Sequence, residues 1–227
     1  RTAHNGVVPG SNPGGPTKFR KLAYVVVKAA SMDAKQITAK LVDRLLREQG
    51  DYIRALITEM RFAGKQRADL VLVSEQIVCF EIKSDRDNLT LIEDQLENAE
   101  SAFDEVWVVL ESARYYDSVK RLAKKVGILE FDKTRGGFIK RRPARANQPS
   151  AFKLSQFLPK SEIQRILSTI PSPSGDVYER RYTRRETIQS IRELVSNRIS
   201  KQDLKKAVVN YHTLRYGPIF EDFLRER

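Results

Sequence analysis

Residues 67–85 read RADLVLVSEQIVCFEIKSD. Two apolar runs, residues 70–73 and 77–80, flank the polar triplet Ser74-Glu75-Gln76, the signature of a strand, a tight turn and a returning strand. A turn centred on Glu75 sets Val73 opposite Ile77, Val71 opposite Cys79 and Asp69 opposite Glu81. Side chains alternate across a strand, so Lys83 shares the face of Glu81 while Ile82 points the other way. Both faces of the hairpin are apolar: Val71, Val73, Ile77 and Cys79 on one, Leu70, Leu72, Val78, Phe80 and Ile82 on the other. That describes strands in a sheet interior covered on two sides, and the charges collect at one end only. Facing carboxylates about 5 Å apart at Cβ repel each other. A divalent cation between Asp69 and Glu81, with Lys83 alongside, relieves that repulsion. Mg²⁺ is commonly held by one or two carboxylates while it keeps several waters, and a cation so held polarises phosphate and activates water. Mg²⁺ is therefore the expected cofactor, with Mn²⁺ as a substitute. The plainer alternative is an edge hairpin with solvated charges.

Outward from the hairpin, the pattern alternates helices and strands. Upstream, Ile37, Leu41 and Leu45, with Val42 and Leu46 beside them, give one apolar helix face over residues 33–49, ended by Gly50. Residues 52–57 read as a short helical stretch and residues 59–62 as a first strand. Downstream, Leu89, Ile92, Leu96, Ala99 and Phe103 step by three and four along a helix, with Gln95 one position off the stripe. Asp85 and Asp87 read as carboxylates serving that helix's N-terminus. Residues 105–110 (EVWVVL) form a buried strand, 115–126 a helix stopped by Gly127, 128–131 a strand, and Gly136-Gly137 a turn into residues 138–140. This succession predicts an α/β sandwich with a central mixed sheet flanked by helices. Residues 140–150 (KRRPARANQPS) read as a basic linker. Beyond it lie helices over 161–170 and 184–199, and another that Ser200 caps. The expected division is a disordered segment over 1–31, an α/β domain over 32–145 and a basic helical extension over 146–227.

Charge is distributed unevenly. Residues 1–132 carry 20 Lys+Arg and 20 Asp+Glu, whereas residues 133–227 carry 21 and 9, so the whole net charge of +12 lies in the last part. Clustered positive charge is the footprint of a polyanion, most often nucleic acid. Arg141, Arg142, Arg180, Arg181, Arg184 and Arg185 are the expected phosphate contacts, with Tyr178 and Tyr182 interleaved. A solvated helical surface is the bland alternative. One cysteine, Cys79, forms no intrachain disulfide and reads as a small core residue, and two well-separated histidines make no zinc constellation. No apolar run nears the roughly 20 residues that span a bilayer. With no signal-peptide pattern, a cytoplasmic protein without membrane contact is expected; oligomeric state is left open. Gly10-Ser11-Asn12-Pro13 matches a read-through of a transfer-RNA T-arm. An open reading frame abutting such a gene suggests a mobile element, with Met32 as a native start.

Asp69, then Glu81-Ile82-Lys83 on the next strand and Gln95 on the following helix, resembles the PD-(D/E)XK nuclease superfamily. The longer run EIKSDRDNL, the FDEVWVV strand and the RRPA segment look like a small bacterial branch of it. The resemblance covers residues 33–150, and the motif gains its force from the hairpin, register and helix around it. It implies a restriction-endonuclease-like sandwich and metal-dependent hydrolysis of DNA phosphodiesters. Asp69, Glu81 and the backbone carbonyl of Ile82 would hold the metal, Lys83 would position or help activate water, and Gln95 would orient the water or Lys83, or touch the DNA backbone. Glu59 matches the family's upstream acidic position. Ala68 stands where proline is frequent, and Ala99 stands where some branches carry tyrosine four residues after the glutamine. Two further readings belong to other classes: a nucleic-acid-binding module that kept the fold without useful catalysis, and a protein-interaction component of a mobile element or defence system.

Overall fold

The computed structural model describes residues 32–62, 64, 66–85, 87–111, 116–122, 124–133, 135–170 and 185–226. The expectations for residues 1–31, for Tyr178, Arg180, Tyr182 and for Arg181 and Arg184 lie outside these. Six strands form one sheet in sequence order: β1 (Ala55–Phe62), β2 (Gln66–Val73), β3 (Ile77–Lys83), β4 (Glu105–Leu110), β5 (Gly127–Asp132) and β6 (Gly137–Arg142). β1, β2 and β3 are antiparallel, β3, β4 and β5 run parallel, and β6 returns antiparallel. The sheet is therefore mixed, as the alternating pattern predicts. α1 (Met32–Gln49) precedes β1. α2 (Ile92–Ala102) and α3 (Tyr116–Leu122) are the crossovers that parallel pairing requires.

The hairpin register is the predicted one, with Val73 paired to Ile77 and Val71 to Cys79. Its two faces go to two separate cores. Leu70, Leu72, Val78, Phe80 and Ile82 pack with Ile37, Leu41 and Leu45 of α1. Val71, Val73, Ile77 and Cys79 pack with Ile92, Leu96 and Ala99 of α2. The stretch 52–57 corrects the sequence reading. A 3₁₀ turn over Gly50–Tyr52 leads through Ile53 and Arg54 into β1, where Ala55 and Ile57 face one core and Leu56 the other. That period of two makes it strand.

Among the described residues, four helices follow the sheet: α4 (Ala151–Ser155), α5 (Lys160–Leu167), α6 (Ile188–Arg198) and α7 (Lys201–Arg225). Ser150, Thr187 and Ser200 start three of them, each side-chain oxygen accepting a backbone N–H three residues on. These helices are packed into the α2-side core rather than hung on a linker: Leu154, Phe157, Ile163, Leu167, Ile191, Val195, Leu204 and Val208 share one cluster with Val71 and Cys79. The stretch read as a linker is fixed to the sheet. Residues 140–142 belong to β6, the Arg145 N–H donates to Lys125 O (2.8 Å), and the Asn147 N–H donates to Asp104 O (2.7 Å). Asp104 fastens the same corner. Its carboxylate accepts the Ile77 N–H at 2.7 Å and pairs with Lys205 of α7 at 2.8 Å.

Candidate functional site

The site begins with a break in regular strand geometry. In β1, Ile57 and Met60 both enter the α2-side core although they are three residues apart; in β2, Val71 and Ala68 do the same. In a regular strand such residues point to opposite faces. The pairs Thr58–Leu70 and Met60–Ala68 keep one register, yet the Glu59–Asp69 pair between them is missing. Glu59 has φ 56°, and among the described residues no other non-glycine residue has a positive φ. A left-handed backbone costs an L-residue roughly 1–2 kcal/mol, so the change of face in both strands is held at a cost. The β2–β3 ladder also stops here, at Leu70–Phe80, one step short of the Asp69–Glu81 pair that the register predicts.

Asp69 reaches β3 through its side chain instead, its Oδ2 accepting the Ile82 N–H at 2.7 Å. Glu81 and Lys83, alternate residues of β3, form a buried ion pair with Lys83 Nζ 2.8 Å from Glu81 Oε1. Gln95, on the first turns of α2, accepts a hydrogen bond from Lys83 Nζ at 3.0 Å. The residues predicted from sequence thus come together: Asp69 from β2, Glu81, Ile82 and Lys83 from β3, and Gln95 from α2. Burial, and next the charge of Glu81, push the Asp69 carboxyl up to about 7. Burial raises Glu81 as well, against the lowering effect of Lys83. Cys79, buried beneath the two carboxylates, has its thiol pushed well above the usual range, chiefly by burial, which fits its reading as an inert core residue.

Glu59 stands opposite Asp69 and adds to the negative field on it, but its carboxylate is paired with Arg67 (Nε–Oε2, 2.5 Å). Arg67 escaped the sequence reading; the available signal was its position two residues before Asp69 on the same strand. Asp85 and Asp87 serve the loop after β3 rather than α2, which starts at Ile92 with no side-chain cap. Asp87 Oδ2 accepts the Ser84 N–H (2.6 Å) and hydroxyl (2.8 Å). The Asp85 N–H donates to Glu111 Oε2 (2.7 Å), and Glu111 pairs with Lys133. Two of the six predicted phosphate-contact arginines have partners in the α/β part of the chain. Arg141 Nε lies 2.7 Å from Glu130 Oε2, and Arg142 donates to the carbonyls of Val126 (2.8 Å) and Lys120 (3.1 Å). Arg185 is exposed before α6. A groove of about 600 Å³ lined by Glu97, Glu100, Ser101, Lys125, Ala146, Asn147 and Gln148 lies along the later turns of α2 and includes none of the clustered residues.

Among the described residues, no three His, Cys, Asp or Glu side chains are grouped closely enough to hold a metal ion by themselves. The set Asp69, Glu81 and the Ile82 carbonyl is a different donor type, two carboxylates and a backbone oxygen, within what Mg²⁺ accepts. The Ile82 N–H occupies Asp69 Oδ2 and Lys83 occupies Glu81 Oε1, so each carboxylate keeps its other oxygen for a ligand. Asp69, raised by burial and the charge of Glu81, and Glu81, raised by burial, are donors of the kind that a cation stabilises.

A family model described as Bacteriophage P4 protein cII matches residues 28–227. The chain belongs to this family. Protein cII of Enterobacteria phage P4 is 27% identical over 173 residues, which cover 74% of this chain and 62% of that protein. The chain therefore matches about three-fifths of the length of this relative. Membership places the chain among phage-associated proteins, in line with a mobile-element origin. Two solved structures are similar at a lower level. The SPO1766 protein of unknown function from Silicibacter pomeroyi has a TM-score of 0.39 at 18% identity, over 62% of this chain and 94% of that one. SfsA of Pyrococcus furiosus, solved in complex with Ca²⁺, has a TM-score of 0.26 at 14% identity, over 56% and 64%. Neither likeness is close enough to carry an argument. No helix among the described residues is long and apolar enough to cross a membrane.

Proposed function

We propose that this cII-family protein is a divalent-metal-dependent nuclease that hydrolyses DNA phosphodiesters at a PD-(D/E)XK-type site within a restriction-endonuclease-like sandwich. The supporting observation is the convergence of Asp69, Glu81, Lys83 and Gln95 from three elements, with Lys83 Nζ shared between Glu81 and Gln95. Asp69, Glu81 and the Ile82 carbonyl would hold Mg²⁺ or Mn²⁺. Such a cation offsets charge on the non-bridging phosphate oxygens and lowers the pKa of a bound water.

The chain's own groups do the rest. The Asp69–Ile82 hydrogen bond fixes the carboxylate against β3 where the ladder has ended. Lys83 is an ammonium with three donors; Glu81 takes one and Gln95 a second, leaving the third for an attacking water or a phosphate oxygen. Gln95 keeps Lys83 from collapsing wholly onto Glu81 and so holds that third donor in a fixed direction. The positive excess beyond residue 133 supplies general attraction to the DNA backbone, which positions the duplex without reading its sequence.

The test is incubation of plasmid and single-stranded DNA with the protein under Mg²⁺, Mn²⁺ or EDTA. Cleavage that needs the metal and disappears in Asp69→Asn and Lys83→Ala supports the proposal. DNA binding without cleavage under any metal points to a binding module, and no affinity even at low salt, where phosphate contacts are strongest, points to a protein-interaction component.

A further inference from the structure

Beside the metal-type cluster stands an ion pair that the proposed reaction does not use, Glu59 with Arg67. Three observations set it apart. Glu59 is held in a left-handed backbone, and strain of this kind persists only where the surroundings over-determine it and gathers at functional sites. The pair lies at the bend where β1 and β2 change face, two residues from Asp69 along β2, and within the electric field of both site carboxylates: Glu59 acts on Asp69 and Arg67 on Glu81. Finally, Arg67 Nε lies 2.5 Å from Glu59 Oε2, and the arginine side chain is 61% exposed. An arginine anchored by one carboxylate loses rotational freedom, and with 61% of its side chain exposed it still presents donors to solvent, a fork suited to two oxygens of one phosphate.

We infer that Arg67 is a phosphate clamp of this site, seated by Glu59, and that Glu59 acts as a positioning residue for Arg67 rather than as a metal ligand. The inference rests on the nuclease reading for its substrate, the phosphodiester backbone of DNA. The clamp would hold a phosphate on the β2 side of the cluster, across from Lys83. It also accounts for the bend: without the left-handed turn at Glu59, the strands would continue straight and the β1 carboxylate would not meet Arg67 beside Asp69. An arginine held only for stability would be as well served by a regular cross-strand pair, with no backbone strain.

The experiment uses the full chain with Arg67→Ala, Arg67→Lys, Glu59→Gln and Glu59→Gly. Steady-state cleavage is read under Mg²⁺, and binding of a fluorescent duplex is read in EDTA over a salt series. Loss of a bidentate charged contact raises KM, or weakens binding, by roughly 10- to 100-fold. Loss of one phosphate contact lowers the salt slope by about 0.9. Arg67→Ala should show both effects with kcat little changed. Arg67→Lys should restore the salt slope but only part of the KM, because a point charge lacks the fork. Glu59→Gln, which keeps the shape but removes the charge that seats the guanidinium, should raise KM in the same direction as Arg67→Ala and by less. Glu59→Gly should raise thermal stability by relieving the backbone while raising KM. If wild type cleaves and Arg67→Ala matches it in KM and salt slope, the clamp is wrong and the nuclease reading stands. If wild type cleaves nothing but Arg67→Ala lowers the salt slope, the clamp stands as a DNA contact without the nuclease. If Glu59→Gln raises the Mg²⁺ needed for half activity while the Arg67 variants are silent, Glu59 is a metal ligand and the inference is overturned.

Discussion

Asp69→Asn should destroy function and stabilise the fold at the same time. The Asp69 carboxyl is raised from 3.8 to about 7, first by burial and then by Glu81. A group whose acid form is favoured in the native state holds its proton more tightly there than in the unfolded chain. Between pH 4 and 7 unfolding then releases a proton, so stability falls as pH rises, and above pH 7 the full penalty is present. At roughly 1.4 kcal/mol per tenfold change in proton affinity, a rise from 3.8 to about 7 gives an upper bound of ~4 kcal/mol. Asp69 keeps some access to solvent, so an observed gain of about 1–3 kcal/mol is expected. Asparagine removes the charge, and its amide oxygen can still accept the Ile82 N–H. The assay is urea unfolding of wild type and variant in EDTA at pH 4.5 and pH 8.5. Only the difference between the two proteins is read, so that other titrating groups cancel. The variant should exceed wild type at pH 8.5 and nearly match it at pH 4.5. Mg²⁺ at pH 8.5 should then stabilise wild type and leave the variant largely unmoved. A gap equal at both pH values, or a variant less stable at both, would refute the picture of a carboxylate pair strained for lack of a cation.

Four further outcomes follow from the same structure. Lys83→Met should lower metal-dependent cleavage by about 100-fold or more, the usual range for a group that positions or moves a proton, and single-turnover rates will show it. Gly127→Ala should lower stability by about 1–3 kcal/mol, read as Tm: a Cβ there would lie 2.5 Å from Trp107 Cδ2, on the rigid indole that covers this glycine from β4. Lys205→Met should cost about 2 kcal/mol, less than the ~3–5 for breaking a fully buried pair, because it strips Asp104 of its α7 partner; calorimetry would show it. His212, buried on α7 among Phe157, Tyr211 and Tyr216, is lowered to about 4, mainly by burial. A histidine held neutral in this way loses its stabilising contribution as pH falls from 6.5 toward 4, up to about 3 kcal/mol; His212→Phe should flatten that acid limb in pH-dependent unfolding.

Much of this protein was legible from residues alone, for reasons that are local. Alternation fixed which residues of 70–82 face which core, because a strand side chain has only two directions. A three-residue turn fixed the register from Leu70 to Phe80, and with it brought Asp69 next to the strand that carries Glu81 and Lys83. Steps of three and four put Gln95 at the edge of its helix stripe, where it could reach Lys83. Other features depended on contacts between residues far apart in sequence. Residues 52–57 carry helix-compatible side chains and became strand because they pair with β2. The stretch 140–150 looks like a linker by composition, yet its backbone N–H groups find carbonyls at Lys125 and Asp104. Net charge marked the last third as basic, but it could not show that Arg141 Nε pairs with Glu130, that Arg142 donates to the Val126 and Lys120 carbonyls, or that helices after residue 150 form one wall of the sheet's core. Nor does any propensity place a glutamate in a left-handed turn. The placing of Glu81 and Lys83 on one face, near Asp69, was set by sequence, since it follows from strand period and turn length. The bend at Glu59, the early end of the β2–β3 ladder and the seating of Arg67 were decided by tertiary structure, because only packing across three strands can hold a backbone where its own residue would not go.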